Sequence, residues 1–223
     1  MNILIIGKEE KVIELQKIIP STAKVTVQED LGSALELFDI IIDTEFDSNS
    51  NRLHQYAPLT HKTVVVSAAK IQLAATVAQY GKAVNCFLVG MNMLPTLINR
   101  SLVELTIANE AASVAVEQIA AKLNWNVRVV EDRVGMVTPR IILMIINEAC
   151  YTLQEGTANI KDIDTAMKLG TNYPLGPFEW ADIIGIKNVY EMLEVVYDDT
   201  KEERYKICPL LKTKYLKQEK FYN

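Results

Sequence analysis

Residues 2–12, Asn-Ile-Leu-Ile-Ile-Gly-Lys-Glu-Glu-Lys-Val, form a short apolar run that ends at Gly7 and leads into a charged stretch. An unbroken apolar run of this length is typical of a strand buried in a parallel sheet. Residues 8–19 then place apolar side chains at helical spacing and stop at Pro20. The alternation continues, with strands predicted at 24–27, 38–42, 63–66, 86–89 and 127–130, helices at 71–80 and 111–123, and an alternating segment at 102–107. The first part of the chain is therefore predicted to be an α/β domain, with a parallel sheet and helices on both faces.

After Glu131 the strand pattern stops and only helical patterns follow. Thr138 is predicted to cap a long helix that has Pro139 in its first turn and ends at Gly156. Further helices are predicted at 160–169, 178–184, 186–197 and 210–216. The sequence thus predicts two domains: an α/β domain over residues 1–132 and an all-α domain over residues 133–223.

Composition excludes several classes of protein. The net charge is −5, hydrophobic residues make up 49% and charged residues 23%, as in ordinary globular proteins. No apolar run approaches the roughly 20 residues of a spanning helix, and the N-terminus has no basic region before its apolar stretch, so we expect neither membrane span nor signal peptide. The basic residues 206–220 alternate with apolar ones, which favours a solvated helix face over a nucleic-acid site. Three isolated cysteines and no Cys/His cluster favour a cytoplasmic protein with no metal site.

A resemblance to a known family rests mainly on residues 162–185, Asp-Ile-Asp-Thr-Ala-Met-Lys-Leu-Gly-Thr-Asn-Tyr-Pro-Leu-Gly-Pro-Phe-Glu-Trp-Ala-Asp-Ile-Ile-Gly. This stretch resembles the C-terminal domain of 3-hydroxyacyl-CoA and 3-hydroxybutyryl-CoA dehydrogenases. Weaker similarity covers residues 38–47, 90–92 and 102–104. The resemblance implies a Rossmann-type NAD domain followed by a helical dimerisation domain. It also implies hydride transfer between NAD and C3 of an acyl-CoA, with a histidine as general base that a glutamate orients.

The loop expected to bind NAD departs from the usual pattern. A dinucleotide-binding loop has the form Gly-x-Gly-x-x-Gly, because glycines let backbone N–H groups approach the pyrophosphate. Here only Gly7 is kept, and Glu9 and Val12 take the second and third glycine positions. Glu9 adds both bulk and negative charge, so the sequence favours a plain strand-to-helix turn. Glu29 or Asp30 occupies the place of the ribose-binding acid.

The catalytic positions are also changed. The family's histidine aligns with Asn92, which does not titrate near neutrality and so cannot serve as a general base. Glu104 matches the orienting glutamate, and Asp47 matches an acid near the nicotinamide. The two histidines, His54 and His61, lie in a polar stretch before this segment and are expected to be exposed. In the family, a serine and an asparagine help to hold the substrate oxygen. Their positions correspond here to Ala68–Ile71 after Ser67, with the register uncertain by one residue, and to Pro139.

Two functions stay open at this point. The chain is either a divergent NAD-dependent 3-hydroxyacyl-CoA dehydrogenase or a non-catalytic relative that acts as a binding or structural partner. Only ten residues, Gln28 to Leu37, stand where the family has a longer stretch that contacts CoA. The long helix of the second domain is apolar almost all round, so we expect it to be buried on most faces. The helical domain is expected to form a homodimer.

Overall fold

The computed structural model describes residues 1–32 and 34–222. The chain forms two compact units, of which the first covers Met1–Met136 and the second begins at Val137. The predicted boundary after residue 132 lies between the last strand, which ends at Val129, and the long helix that begins at Thr138. In the part of the chain that the structure describes, every helix is too short or too polar to cross a bilayer.

The first unit is built on one sheet of seven strands in the order β2-β1-β3-β4-β5-β6-β7. The order reverses between β1 and β3, and in parallel sheets such a switch point opens a crevice at the carboxyl ends of the strands. The strands are β1 Asn2–Ile6, β2 Lys24–Gln28, β3 Ile40–Asp43, β4 Thr63–Ser67, β5 Phe87–Met91, β6 Val103–Ile107 and β7 Val127–Val129. Strand and helix therefore alternate as the sequence predicts, and the predicted α/β fold class is confirmed.

Two strands run against the other five. β6 pairs antiparallel with β5 and β7 pairs parallel with β6, whereas β1 to β5 are parallel to their neighbours. The prediction of a parallel sheet is therefore wrong for these two strands. The chain returns directly from β5 to β6 through residues 92–102, which contain no crossover helix, and a short direct connection can only join antiparallel neighbours.

Two apolar layers bury the sheet. Ile3 and Ile5 of β1 point to one face, where Val12 and Leu15 of the first helix cover them. Leu4 and Ile6 point to the other face. The helices of this unit are α1 Glu9–Ile18, α2 Leu53–Tyr56, α3 Leu73–Tyr80 and α4 Ser113–Leu123. β1 is therefore buried on both faces, which accounts for its unbroken apolar sequence.

The second unit is helical throughout. Its helices are α5 Thr138–Gln154, α6 Ile160–Thr171, α7 Pro177–Ile184, α8 Ile186–Thr200 and α9 Pro209–Lys217. Thr138 is the first residue of α5 and not its cap, because the cap position falls on Val137, which has no side-chain acceptor. Within this chain α5 is also not buried on most faces: Leu143, Ile146 and Cys150 are buried, whereas Ile141 is exposed. The apolar character of α5 thus exceeds what its own chain covers.

A buried aspartate organises the second unit. Asp164 on α6 accepts hydrogen bonds from the backbone N–H groups of Phe178 and Glu179, at 2.8 and 3.2 Å, and from the Tyr222 hydroxyl at 2.7 Å. Asp182 accepts from the backbone N–H groups of Phe221 and Tyr222. Gly176 lies so close to Asp164 that a β-carbon there would overlap its carboxyl group. Two residues of the stretch that carries the family resemblance are therefore structural. Asp164 caps the N-terminus of α7, and Asp182 binds the segment after α9.

Candidate functional site

The turn between β1 and α1 consists of Gly7 and Lys8 only, since α1 begins at Glu9. Gly7 has φ +149°, and a β-carbon at this position would overlap the Thr44 side chain. The backbone N–H of Gly7 donates to Gln28 O at 3.0 Å. The glycine is thus required by the close approach of residue 44, which follows β3, and its backbone N–H is used inside the sheet.

The space beside this turn is filled by the chain's own polar groups. Lys11 Nζ donates to Thr44 O at 2.7 Å and forms an ion pair with Glu45 at 3.0 Å. Thr44 Oγ1 in turn donates to Glu45 Oε1 at 3.2 Å. Glu9 and Glu10 occupy the exposed first turn of α1. Acidic side chains at a helix N-terminus satisfy the positive end of the helix dipole, which is the end that would otherwise attract a phosphate.

A buried cluster at the end of β3 was not predicted. Asp43 is fully buried and accepts from Arg52 Nη1 at 3.0 and 3.2 Å and from the Tyr56 hydroxyl at 2.7 Å. Burial and the neighbouring carboxylate raise the pKa of Tyr56 above its usual range, so the hydroxyl stays a donor. Arg52 also approaches exposed Asp30 at 3.9 Å, while Glu29 is exposed. No sequence motif predicts that Asp43 contacts Arg52 and Tyr56, which lie nine and thirteen residues later in the chain.

Asp47 and Ser67 come together at the ends of β3 and β4. Ser67 Oγ donates to Asp47 Oδ2 at 2.8 Å. Burial raises the pKa of Asp47 above its ordinary value, although the charge of Lys11 and the bond from Ser67 oppose the shift. The structure thus places a carboxyl group, predicted from the sequence as a nicotinamide neighbour, on the same edge as the β1 turn.

The segment after β4, which corresponds to the family's substrate-oxygen groups, is held by residues near the end of the first unit. Asp132 accepts from the backbone N–H groups of Leu73 and Ala74, at 2.9 and 2.7 Å, and so caps α3. Ala69 O accepts from the backbone N–H of Gly135 at 2.7 Å. A carboxylate of the chain therefore occupies the N-terminus of α3. Pro139 lies buried in the first turn of α5, where it offers no polar side chain.

Asn92 and Glu104 lie on adjacent strand ends. The backbone N–H of Asn92 donates to Glu104 O at 3.3 Å, and both residues are buried, at 4% and 9% exposure. Asn92 Oδ1 accepts from the backbone N–H of Leu94 at 3.3 Å, so the side chain closes a local turn. Both histidines lie elsewhere: His61 is exposed, and exposed His54, placed in a loop by the sequence, is in α2 with its ring edge-on to Tyr80. The pair at the end of β5 therefore contains an amide and a carboxyl group and no imidazole.

Known proteins with similar sequence or structure identify the family. The family model for the C-terminal domain of 3-hydroxyacyl-CoA dehydrogenase matches residues 135–221. A 3-hydroxybutyryl-CoA dehydrogenase of Bradyrhizobium diazoefficiens is 39% identical over 121 residues, which are 54% of this chain and 41% of the relative. A 3-hydroxyadipyl-CoA dehydrogenase of Escherichia coli is 45% identical over 87 residues, 39% of this chain and 18% of the relative. These matches span less than half the length of the relatives.

The fold as a whole is similar to a solved structure. FadB2 of M. tuberculosis superposes with a TM-score of 0.80 over 99% of this chain and 98% of that chain, at 16% identity. An identity this low shows a shared fold and nothing further. The family model and the curated relatives carry the assignment, and the predicted family is confirmed: at residues 135–221 the chain carries the C-terminal domain of the 3-hydroxyacyl-CoA dehydrogenase family.

Proposed function

We propose that this protein is a 3-hydroxyacyl-CoA dehydrogenase relative in which hydride transfer is weak or lost, and that it acts as a dimeric binding or structural partner. The observation that carries the proposal is the turn at Gly7, which is only two residues long and leads into the acidic first turn of α1. Glu9 stands at the second glycine position, Gly7 is packed against Thr44, and Lys11 is engaged with Glu45. The family resemblance implies NAD as cofactor, but these residues do not fit a dinucleotide diphosphate.

The change at residue 92 supports the same proposal. An amide accepts no proton near neutral pH, so Asn92 cannot take the proton from a 3-hydroxyl group. Loss of a general base costs on the order of 10² to 10⁴ in rate. A weakened cofactor site multiplies this loss, because cofactor and base act in the same step. The two changes together predict negligible turnover.

A calorimetric titration with NADH tests the cofactor half of the proposal. We expect no saturable heat at millimolar NADH, and saturation at micromolar NADH would contradict the proposal. A matched variant, Glu9→Gly, removes the acidic side chain but leaves Val12 at the third glycine position. We expect it to bind no better than the wild-type protein, since the turn stays two residues long and Lys11 stays engaged with Glu45. Tight binding by Glu9→Gly alone would show that the Glu9 side chain is what blocks the site.

The competing candidate is a divergent dehydrogenase, which one observation favours. Glu104 is kept beside Asn92, and a buried carboxyl group is a possible proton acceptor. An assay of NADH oxidation with acetoacetyl-CoA distinguishes the two candidates. Turnover that disappears in Glu104→Gln would establish the enzyme. Turnover that is absent in the unchanged protein supports the non-catalytic partner.

We further propose that the helical unit forms a homodimer. An open apolar groove of about 700 Å³ runs between α5 and α6, lined among others by Met144, Ile145, Ile163 and Met167. Leu169 at the end of α6 is 83% exposed. A twofold contact through these helices would cover surface that one chain leaves open.

Light scattering after gel filtration measures the mass of the particle. We expect at least twice the chain mass, and we expect Ile145→Glu to lower it because the variant places a charge in the groove. Lys212→Glu, at an exposed position of α9, is the matched control and is expected to leave the mass as it is. A single-chain mass for the wild-type protein would refute the dimer.

A cytoplasmic location belongs to the same proposal. The three cysteines are free and buried. Burial raises the pKa of Cys86 to about 12 and also raises the pKa of Cys150, so both thiols stay protonated and unreactive near neutral pH. Unpaired cysteines of this kind are typical of proteins kept in a reducing compartment.

A further inference from the structure

The outer edge of β2 is open. β2 pairs with β1 on one side, and within the described residues 1–32 and 34–222 no strand lies on its other side. The backbone N–H of Lys24 donates to Met1 O, and Gln28 O accepts from Gly7 N, so the peptide groups of these two residues face β1. Peptide groups alternate sides along a strand. Those of Val25 and Val27 therefore point outward.

The open edge follows from the short connection to β3. In the doubly wound fold with strand order 3-2-1-4-5-6, a further strand lies beside the second one. Here the described residues between β2 and β3 contain a single helical turn, Leu35–Leu37, and Leu35 packs into the core on one face of the sheet. The chain thus passes to β3 without building the outer strand. Val27 is left 45% exposed in the middle of the sheet edge.

An unpaired strand of this kind is a template for another strand, and proteins usually protect such edges. β2 has no proline and no bulge, and the peptide groups that face outward belong to two valines. The charges lie at its two ends: Lys24 at the start, and Glu29 with Asp30 just after the end, all three exposed. A strand that runs antiparallel to β2 and carries the same sequence would place opposite charges beside each other.

We propose that β2 pairs with β2 of a second copy of this chain, antiparallel and centred on Thr26. In this register Val25 faces the partner's Val27, and each of the two pairs exchanges two hydrogen bonds. Thr26 faces the partner's Thr26 in a non-hydrogen-bonded pair. The twofold axis makes the contact closed, so two sheets join into one and the β2 edge is no longer open.

The charges favour this register. Lys24 lies opposite the partner's Gln28 and diagonal to the partner's Asp30, within reach of a long side chain. No like charges face each other across the axis. This interface is separate from the proposed groove dimer of α5 and α6, and it depends on neither the presence nor the loss of enzyme activity.

Single cysteine variants test the register directly. In Thr26→Cys the two new cysteines face each other with Cα atoms about 4.5 Å apart, within the range of a disulfide. In the matched control Lys24→Cys they are offset by four residues, about 13 Å along the strand, which is out of range. The native cysteines are buried and do not compete.

After mild oxidation, we expect a disulfide-linked dimer of Thr26→Cys as the main band on a non-reducing gel, and single chains of Lys24→Cys. The band should persist in an Ile145→Glu background, which separates this interface from the groove dimer. Single chains of Thr26→Cys, or equal cross-linking of both variants, would overturn the proposal.

A second pair of variants removes hydrogen bonds without breaking the fold. Val27→Pro deletes an N–H group that faces away from β1, and edge strands tolerate proline at such positions. Val27→Thr keeps this N–H and the shape of the side chain. In the Ile145→Glu background, Val27→Pro should weaken self-association by on the order of tenfold or more, since two of four hydrogen bonds are lost, while Val27→Thr should not. Equal self-association of both variants, measured by sedimentation, would also overturn the proposal.

Discussion

Replacement of Asp164 by alanine is predicted to destabilise the helical unit strongly. Asp164 is 1% exposed and accepts three hydrogen bonds, two from the first turn of α7 and one from Tyr222. Asp164→Ala leaves the N–H groups of Phe178 and Glu179 without their acceptor. Loss of a helix cap costs about 1–2 kcal/mol. A buried unsatisfied donor costs about 1–3 kcal/mol, so the expected total is about 2–5 kcal/mol.

Urea unfolding followed by circular dichroism at 25 °C measures this effect. Tyr222→Phe removes only the hydroxyl bond and should cost about 1 kcal/mol, so the two variants together divide the effect between helix cap and tail. Asp198→Ala removes an exposed aspartate and serves as control, with an expected change of less than about 0.5 kcal/mol. A loss below about 1 kcal/mol in Asp164→Ala would refute the reasoning, because it would mean that water replaces the carboxylate at no cost.

Three further predictions concern stability. Gly176→Ala should lower the melting temperature by several degrees, since its β-carbon would overlap Asp164; an unchanged melting temperature would contradict the packing. Lys168 donates a hydrogen bond to Glu179, and this bond is the main reason why the pKa of the Glu179 carboxyl lies below its ordinary 4.5. The carboxylate therefore stabilises the fold above pH 4.5, and this stabilisation is lost on acidification. At pH 7 we expect Glu179→Gln to have a free energy of unfolding up to about 1 kcal/mol lower than that of the wild-type protein, and this difference should disappear as the pH falls below 4.5. A difference that grows on acidification would contradict the expected direction. Arg52→Met leaves the Asp43 carboxylate buried without its ion pair and should cost about 3 kcal/mol in urea unfolding, whereas a stability equal to that of the unchanged protein would show that Tyr56 alone suffices.

The sheet was predictable because its strands have a local signature. β1, β3 and β4 are buried on both faces and therefore appear as unbroken apolar runs. The direction of β6 was not predictable, since alternation marks a strand but does not say with which neighbour it pairs. Helix starts were uncertain by one residue for the same kind of reason: Thr138 is a good cap by residue type, but the chain turns into the helix at Val137.

The candidate site was predictable only where the residues follow a motif. Gly7, Asn92 and Glu104 could be named from the sequence because each occupies a strand end that the family pattern marks. Asp43 with Arg52, and Asp132 at the N-terminus of α3, were missed because their partners are nine and about sixty residues away. Such contacts depend on the tertiary fold and leave no spacing signal in the sequence. The Thr44 side chain at Gly7 belongs to the same group, and it changes the meaning of a glycine that the motif alone would assign to a cofactor.

The contact between Gly7 and Thr44 also limits what this glycine can reveal in a comparison of sequences. A side chain at position 7 would collide with Thr44, so close packing alone is enough to disfavour every other residue there. The glycine is required whether or not a nucleotide binds beside it. A search for dinucleotide sites that gives weight to this glycine therefore counts a structural requirement as a sign of function.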